Sequence, residues 1–139
     1  MKAQELRIGN YVGINKTALH FDGCNSENAY FEIEELKKDV VQFKGFHVGE
    51  YYKDLKPIQL TEEWLLKLGF EKIKYYKFSL DEGYIIIEVE DENWEDLCLD
   101  VFIQTADMIK PFYITYLEHV HHLQNLYHAL TGQELEFRK

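Results

Sequence analysis

The sequence predicts an α+β protein, with a small, strongly bent sheet in residues 1–58 and a helix–antiparallel strands–helix layer in residues 59–139. Three observations carry this. Short β-rich runs, separated by polar or glycine-bearing stretches, fill the first half. A compact helix with its own start and stop residues follows Pro57. Apolar residues at helical spacing recur near the C-terminal end, between Val120 and Leu130.

Leu6 to Ile14 opens the chain with Gly9 and Gly13, which permit a tight turn, beside the β-formers Tyr11, Val12 and Ile14. Further strand-like runs are Tyr30 to Ile33, Val40 to Phe43, and Glu50 to Tyr52. Strands this short and this closely spaced make a small bent sheet or barrel. The Leu6-x-x-Gly9-x-x-Val12 opening resembles the first strand of SH3-like barrels, so the expectation for residues 1–58 is an SH3-like bent sheet or barrel.

Pro57 marks the boundary, because the residue before a proline avoids helical dihedrals and Asp54 to Leu60 therefore runs extended. Thr61 then reads as an N-cap, with Glu62 and Glu63 in the first turn, where the helix dipole favours carboxylates. Trp64, Leu65 and Leu68 form its apolar stripe, and Gly69 stops it. Glu71 to Leu80 reads as one strand, Asp81-Glu82-Gly83 as a turn, and Tyr84 to Val89 as the return strand of a hairpin. Leu97 to Ile103 is a third strand, and Phe112 to Thr115 an edge strand after Pro111. The last helix runs from about Leu117 to Leu130, with Val120, Leu123, Leu126, Tyr127 and Leu130 on its apolar stripe. Glu118, His121, His122, Asn125 and His128 fall on the other side, and Thr131-Gly132 ends the helix. The expected division is a β-rich subdomain at 1–58 and an α+β subdomain at 59–139 that includes the C-terminal helix.

At 139 residues, with 46% hydrophobic and 15% aromatic side chains, the chain can bury a core without staples. Cys24 and Cys98 lack a Cys-x-x-Cys partner, and Lys2, Glu5 and Arg7 leave no room for a secretory h-region. Both cysteines therefore read as reduced thiols of a cytoplasmic protein. No run reaches the length of about 18 apolar residues that a membrane helix needs. The net charge of −10 is uneven: residues 1–60 carry −1 (8 basic, 9 acidic) and residues 61–139 carry −9 (7 basic, 16 acidic). Between Phe78 and Ile109 there is no Lys or Arg, while acids crowd from Glu88 to Asp100. Such a surface repels nucleic acid, which argues against direct nucleic-acid binding. The acid run reads either as a solubilising loop or as a mimic of DNA phosphates that occupies a DNA-binding protein.

Motifs for catalysis are missing. Ser26 and Ser79 lack nucleophile-elbow glycines, Cys98 lies in a strand with no recognisably spaced His, and Gly9 and Gly13 fit no phosphate loop. No catalytic residue and no cofactor is assigned, and the chain reads as a non-enzyme. The His cluster is the one constellation with metal-binding chemistry. His119 and His122 sit three residues apart and Glu118 and His122 four, so a helix puts each pair on one face within reach of an ion, but no third ligand at a recognisable spacing completes a centre for either pair. His20 and His47 cannot be placed from sequence.

Three blocks carry a resemblance: MKAQELRIGN at Met1–Asn10, PIQLTEEWLLKLGF at Pro57–Phe70, and VHHLQNLYHALTGQEL at Val120–Leu135. In order and spacing they resemble a family of small, functionally uncharacterised Bacteroidetes proteins found near prophages and mobile elements. The chain departs from that pattern at His122, where the family has Gln, and at His128, where it has Phe. The resemblance implies a phage or mobile-element origin and no activity. His121, Gln124 and Asn125 match the family block; they read as side chains that dock the helix, or as a recognition surface. With no catalytic motif, the expected role is an accessory protein–protein interaction module with an unidentified protein partner and no set oligomeric state. Its contact residues are drawn from Tyr51, Tyr52, Tyr75, Tyr76, His121 and Asn125, with Tyr113 and Tyr116 beside them, because tyrosine combines large contact area with a polar tip. Metal binding through the His-rich helix is the remaining alternative.

Overall fold

The computed structural model describes residues 1–15, 29–47, 49–89 and 99–137. His20, Cys24, Cys98 and the acid run from Glu90 onward to Leu97 lie outside the described residues. The chain divides into two compact units, one of residues 1–59 with 119–134 and one of residues 60–118 with 135–139. It is α+β, with two antiparallel five-stranded sheets and two α-helices among the described residues. None of the described helices is long and apolar enough to cross a membrane.

The first unit begins with a 3-10 turn, Ala3–Glu5. Strands β1 (Tyr11–Ile14), β2 (Phe31–Leu36), β3 (Val40–Phe43), β4 (Gly49–Tyr51) and β5 (Leu55–Lys56) form a sheet in the order β4-β3-β2-β1-β5. A second 3-10 turn, Tyr52–Asp54, leads into β5. Strand formation follows the alternation: Phe31, Ile33, Val41 and Phe43 point inward and join Leu6, Val12 and Leu55 in one buried cluster. The Phe31 and Phe43 rings sit 5.1 Å apart inside it. Among the described residues no pairing joins β4 to β5, so the sheet is open and the closed barrel of the sequence expectation is not seen.

The C-terminal helix belongs to this unit as well, contrary to its expected place in residues 59–139. Helix α2 spans Val120–Thr131 rather than starting at Leu117, because Leu117 is still paired with Leu99 in a strand. Its buried residues are Val120, His121, Leu123, Gln124 and Tyr127, whereas Leu126 and Leu130 are only half-buried. The buried stripe is thus rotated from the one the apolar spacing marks out. The reason is polar: Gln124 and Asn125 hydrogen-bond to the segment from Glu5 to Tyr11 and fix which face turns inward. Gln59 and His119 form an isolated antiparallel bridge, and Val120 N–H donates to the Ile58 carbonyl at 2.9 Å.

The second unit is a helix and a meander. Helix α1 (Glu62–Lys67) starts at the N-cap Thr61, whose hydroxyl accepts from Trp64 N–H at 3.3 Å. Leu65 and Leu68 are fully buried, and the Trp64 ring stacks on Phe137. Strands β6 (Glu71–Lys74), β7 (Lys77–Leu80), β8 (Ile85–Glu88), β9 (Leu99–Ile103) and β10 (Phe112–Leu117) lie in the order β10-β9-β8-β7-β6. Each pairs with its neighbour in sequence, so the sheet needs no crossover. Phe78, Leu80, Ile85, Ile87, Leu99, Val101 and Leu117 are its buried side chains.

The stretch Glu71 to Leu80, expected as one strand, is a hairpin. Tyr75-Tyr76 is its turn, with Lys74 opposite Lys77. The alternation of lysine with apolar residues reads the same whether the chain runs straight or doubles back.

Candidate functional site

Two regions stand out once the sequence-predicted residues are located. One is the start of α2 with the N-terminal segment it grips; the other is the outer edge of the second sheet.

Gln124 is the centre of the first. Its Oε1 accepts from Tyr11 N–H at 2.8 Å, and its Nε2 donates to the Gly9 carbonyl at 2.9 Å. Asn125 Nδ2 donates to the Glu5 carbonyl at 2.9 Å, and Asn125 Oδ1 accepts from Asn10 Nδ2 at 3.0 Å. Asn10 Oδ1 in turn accepts from Arg7 N–H at 2.8 Å. Backbone groups that no strand satisfies are therefore met by helix side chains, as buried polar groups require. Asn125 is committed to this network, so it is a docking residue and not a free recognition surface. Arg7 reinforces the grip through an ion pair with Glu134 at 2.5 Å.

His121 lies beside the network, inside the unit and not on the solvent face its spacing predicts: it is 1% exposed. Neither of its ring nitrogens has a hydrogen-bond partner among the described residues. Leaving a buried donor or acceptor unmet costs about 1–3 kcal/mol per group, so this ring stands out from its well-bonded neighbours. Burial lowers its pKa from 6.5 to about 3, helped by His122, His119 and the N-terminal ammonium, and the ring is neutral. Its centroid is 4.2 Å from that of His122 and 5.7 Å from that of His119.

Of the three residues singled out for metal chemistry, only His122 belongs to a convergent group among the described residues; Glu118 and His119 do not. His122 instead meets His121 and Glu5, one ligand atom of each lying within 4.8 Å of the others. Sequence spacing along one helix cannot reveal that set, since Glu5 is supplied from the other end of the chain. His47 is exposed, and His128 lies 3.7 Å from Glu134.

The tyrosines do not converge. Tyr52 packs against the first core and donates its hydroxyl to the Lys37 carbonyl at 2.6 Å; burial raises its pKa, with the Asp39 charge adding to it. Tyr51 is exposed at the end of β4, with Lys53 Nζ 5.7 Å from its ring centroid. Tyr75 and Tyr76 are exposed in their turn, rings 5.2 Å apart edge to face. The denser aromatic exposure is on β10, where Phe112 is 65%, Tyr113 48% and Tyr116 56% exposed. Tyr113 sits opposite Phe102, their rings 5.6 Å apart, and Tyr116 opposite Asp100. The register shifts between Tyr113 and Thr115, a bulge that bends the strand at its middle. From the acid run, Glu88 and Asp100 face each other across β8 and β9. No family model, no curated protein and no solved structure matches this chain.

Proposed function

We propose that this chain is a non-enzymatic, cytoplasmic accessory protein that binds a partner protein through the edge of β10, which pairs with no further strand among the described residues. The observation that carries the reading is an edge strand of six residues with no charged side chain and three exposed aromatics, Phe112, Tyr113 and Tyr116. Natural edge strands are guarded by charge, proline, brevity or a bulge; β10 has the bulge between Tyr113 and Thr115 but no charge along its six residues, and an edge so lightly guarded invites a further strand. Strand addition supplies backbone hydrogen bonds for affinity, while aromatic side chains on alternate positions supply specificity. An origin in phage or mobile elements rests on the three sequence blocks given above. The first unit reads as SH3-like in its strand order, β4-β3-β2-β1-β5, with a 3-10 turn leading into β5.

A photo-crosslinking amino acid placed at Tyr113 or Tyr116 in the native host should trap one dominant partner. The same probe at Lys38, in the exposed turn before β3, should not. With that partner purified, the double variant Tyr113→Ala/Tyr116→Ala should weaken binding by at least tenfold, since buried aromatic anchors commonly contribute about 1–2 kcal/mol or more each. Equal trapping from Lys38, or an affinity that the double variant leaves unchanged, would remove β10 as the contact face.

A further inference from the structure

We propose that Glu5, His121 and His122 form a binding site for a divalent first-row transition metal of the zinc class. One ligand atom from each residue lies within 4.8 Å of the other two. They arrive from two distant places in the chain. Glu5 ends the first 3-10 turn, and the two histidines stand in the first turn of α2. Their approach is built rather than incidental, because Asn125 holds the Glu5 carbonyl and Gln124 holds the Gly9 carbonyl, each at 2.9 Å. Consecutive residues on a helix ordinarily diverge, yet the two imidazole centroids are only 4.2 Å apart.

The second observation is His121 itself. It is 1% exposed and neither ring nitrogen has a partner among the described residues. A histidine buried for packing alone would donate from one nitrogen and accept at the other. On a tetrahedral zinc ion the donors stand about 3.3 Å apart, given zinc–ligand distances of about 2.0–2.1 Å. Reaching that from 4.8 Å takes rotation of the exposed Glu5 and the half-buried His122 about an anchored His121.

The donor set selects the class of ion. Two imidazole nitrogens and one carboxylate suit zinc and its neighbours, whereas calcium and magnesium require oxygen ligands throughout. The Glu5 carboxylate is the one anionic member of the set, and its charge favours a dication there. Three protein ligands leave a fourth position for water or for a side chain of a partner.

The test is calorimetric titration of the untagged full chain with Zn2+, paired with optical titration with Co2+. Both are run on the wild type and on a Cys24→Ser/Cys98→Ser background that removes thiolate ligands. The expected result is one saturable Zn2+ site and a visible Co2+ d–d band that Zn2+ bleaches, both kept in the serine background. Glu5→Gln and His122→Ala should each weaken Zn2+ binding by at least about tenfold, the lower bound for outer-shell losses and a floor for a ligand. His47→Ala and His128→Ala should not change it. Both ligand variants alter side chains that are not fully buried, and far-UV circular dichroism checks that they fold. The proposal is overturned by absence of saturable binding, by a Zn2+ affinity that either variant leaves within that tenfold, or by a cobalt signal that disappears with the cysteines.

Discussion

His121 and Gln124 occupy neighbouring places on α2 and solve burial in opposite ways. Gln124 spends both ends of its amide on backbone groups of Tyr11 and Gly9. Truncating it leaves a buried N–H and a carbonyl unmet, so Gln124→Ala should destabilise the protein by about 3 kcal/mol, read as a lower urea midpoint with the slope unchanged. His121 instead avoids charge. Its folded pKa of about 3 lies below its unfolded 6.5, so between those values the unfolded chain binds a proton that the folded chain excludes. The contribution of His121 to stability is therefore full above its unfolded pKa of 6.5 and falls as pH drops through that window. The loss of urea midpoint between pH 7.5 and 5, above most carboxylate titration, should shrink in His121→Leu; an unchanged loss would place the titrating group elsewhere. A docking role for Gln124 was among the readings of the sequence, whereas the burial of His121 was not, because helical spacing put it on the solvent face. One signal was present, a glutamine at i+4 from Val120 and between Leu123 and Tyr127, because a polar side chain inside an apolar stripe marks a buried hydrogen-bond network. Its partners, more than 110 residues away, had no local signature.

The elements that sequence reading placed well are those with chemistry at their ends. Thr61, the acidic first turn and the buried Leu65 and Leu68 make α1 a short helix whose limits follow from capping. Thr61→Ala should cost about 1 kcal/mol in thermal or urea unfolding, the usual value of a lost N-cap. Gly132 closes α2 at φ +73° with its N–H donating to the His128 carbonyl, and an added Cβ there would meet nothing within 4 Å. Gly132→Ala should therefore cost about 1 kcal/mol through backbone strain alone. The turn after β7 shows the converse. Asp81 and Glu82 adopt φ +52° and +57° although neither is glycine, so Glu82→Gly should raise stability by about 0.5–1 kcal/mol. Where ends carry no chemistry, spacing misleads: the Tyr75-Tyr76 turn lacks Gly, Asn, Asp and Pro, and nothing local separates it from a continuous strand.

At the scale of the molecule, charge and exposed apolar surface are divided along the chain. Residues 61–139 carry −9 of the −10 net charge, yet β10 within them carries none. The half of the chain that carries this uncharged edge has a net charge of −9, so a partner that adds a strand there should be basic and its association rate should fall as salt rises. The α+β class followed from composition, apolar spacing and turn signals, whereas the order of strands within each sheet was not read from them. The grouping of α2 with the first unit did not follow from them either, because it rests on hydrogen bonds between the two ends of the sequence. Hydrogen exchange of the purified complex with the trapped partner tests the interaction reading most directly. Strand addition predicts that amides in Phe112–Leu117 gain protection on binding while those of the opposite edge, Glu71–Lys74, do not. Protection that appears elsewhere and leaves Phe112–Leu117 exchanging as in the free protein would contradict it.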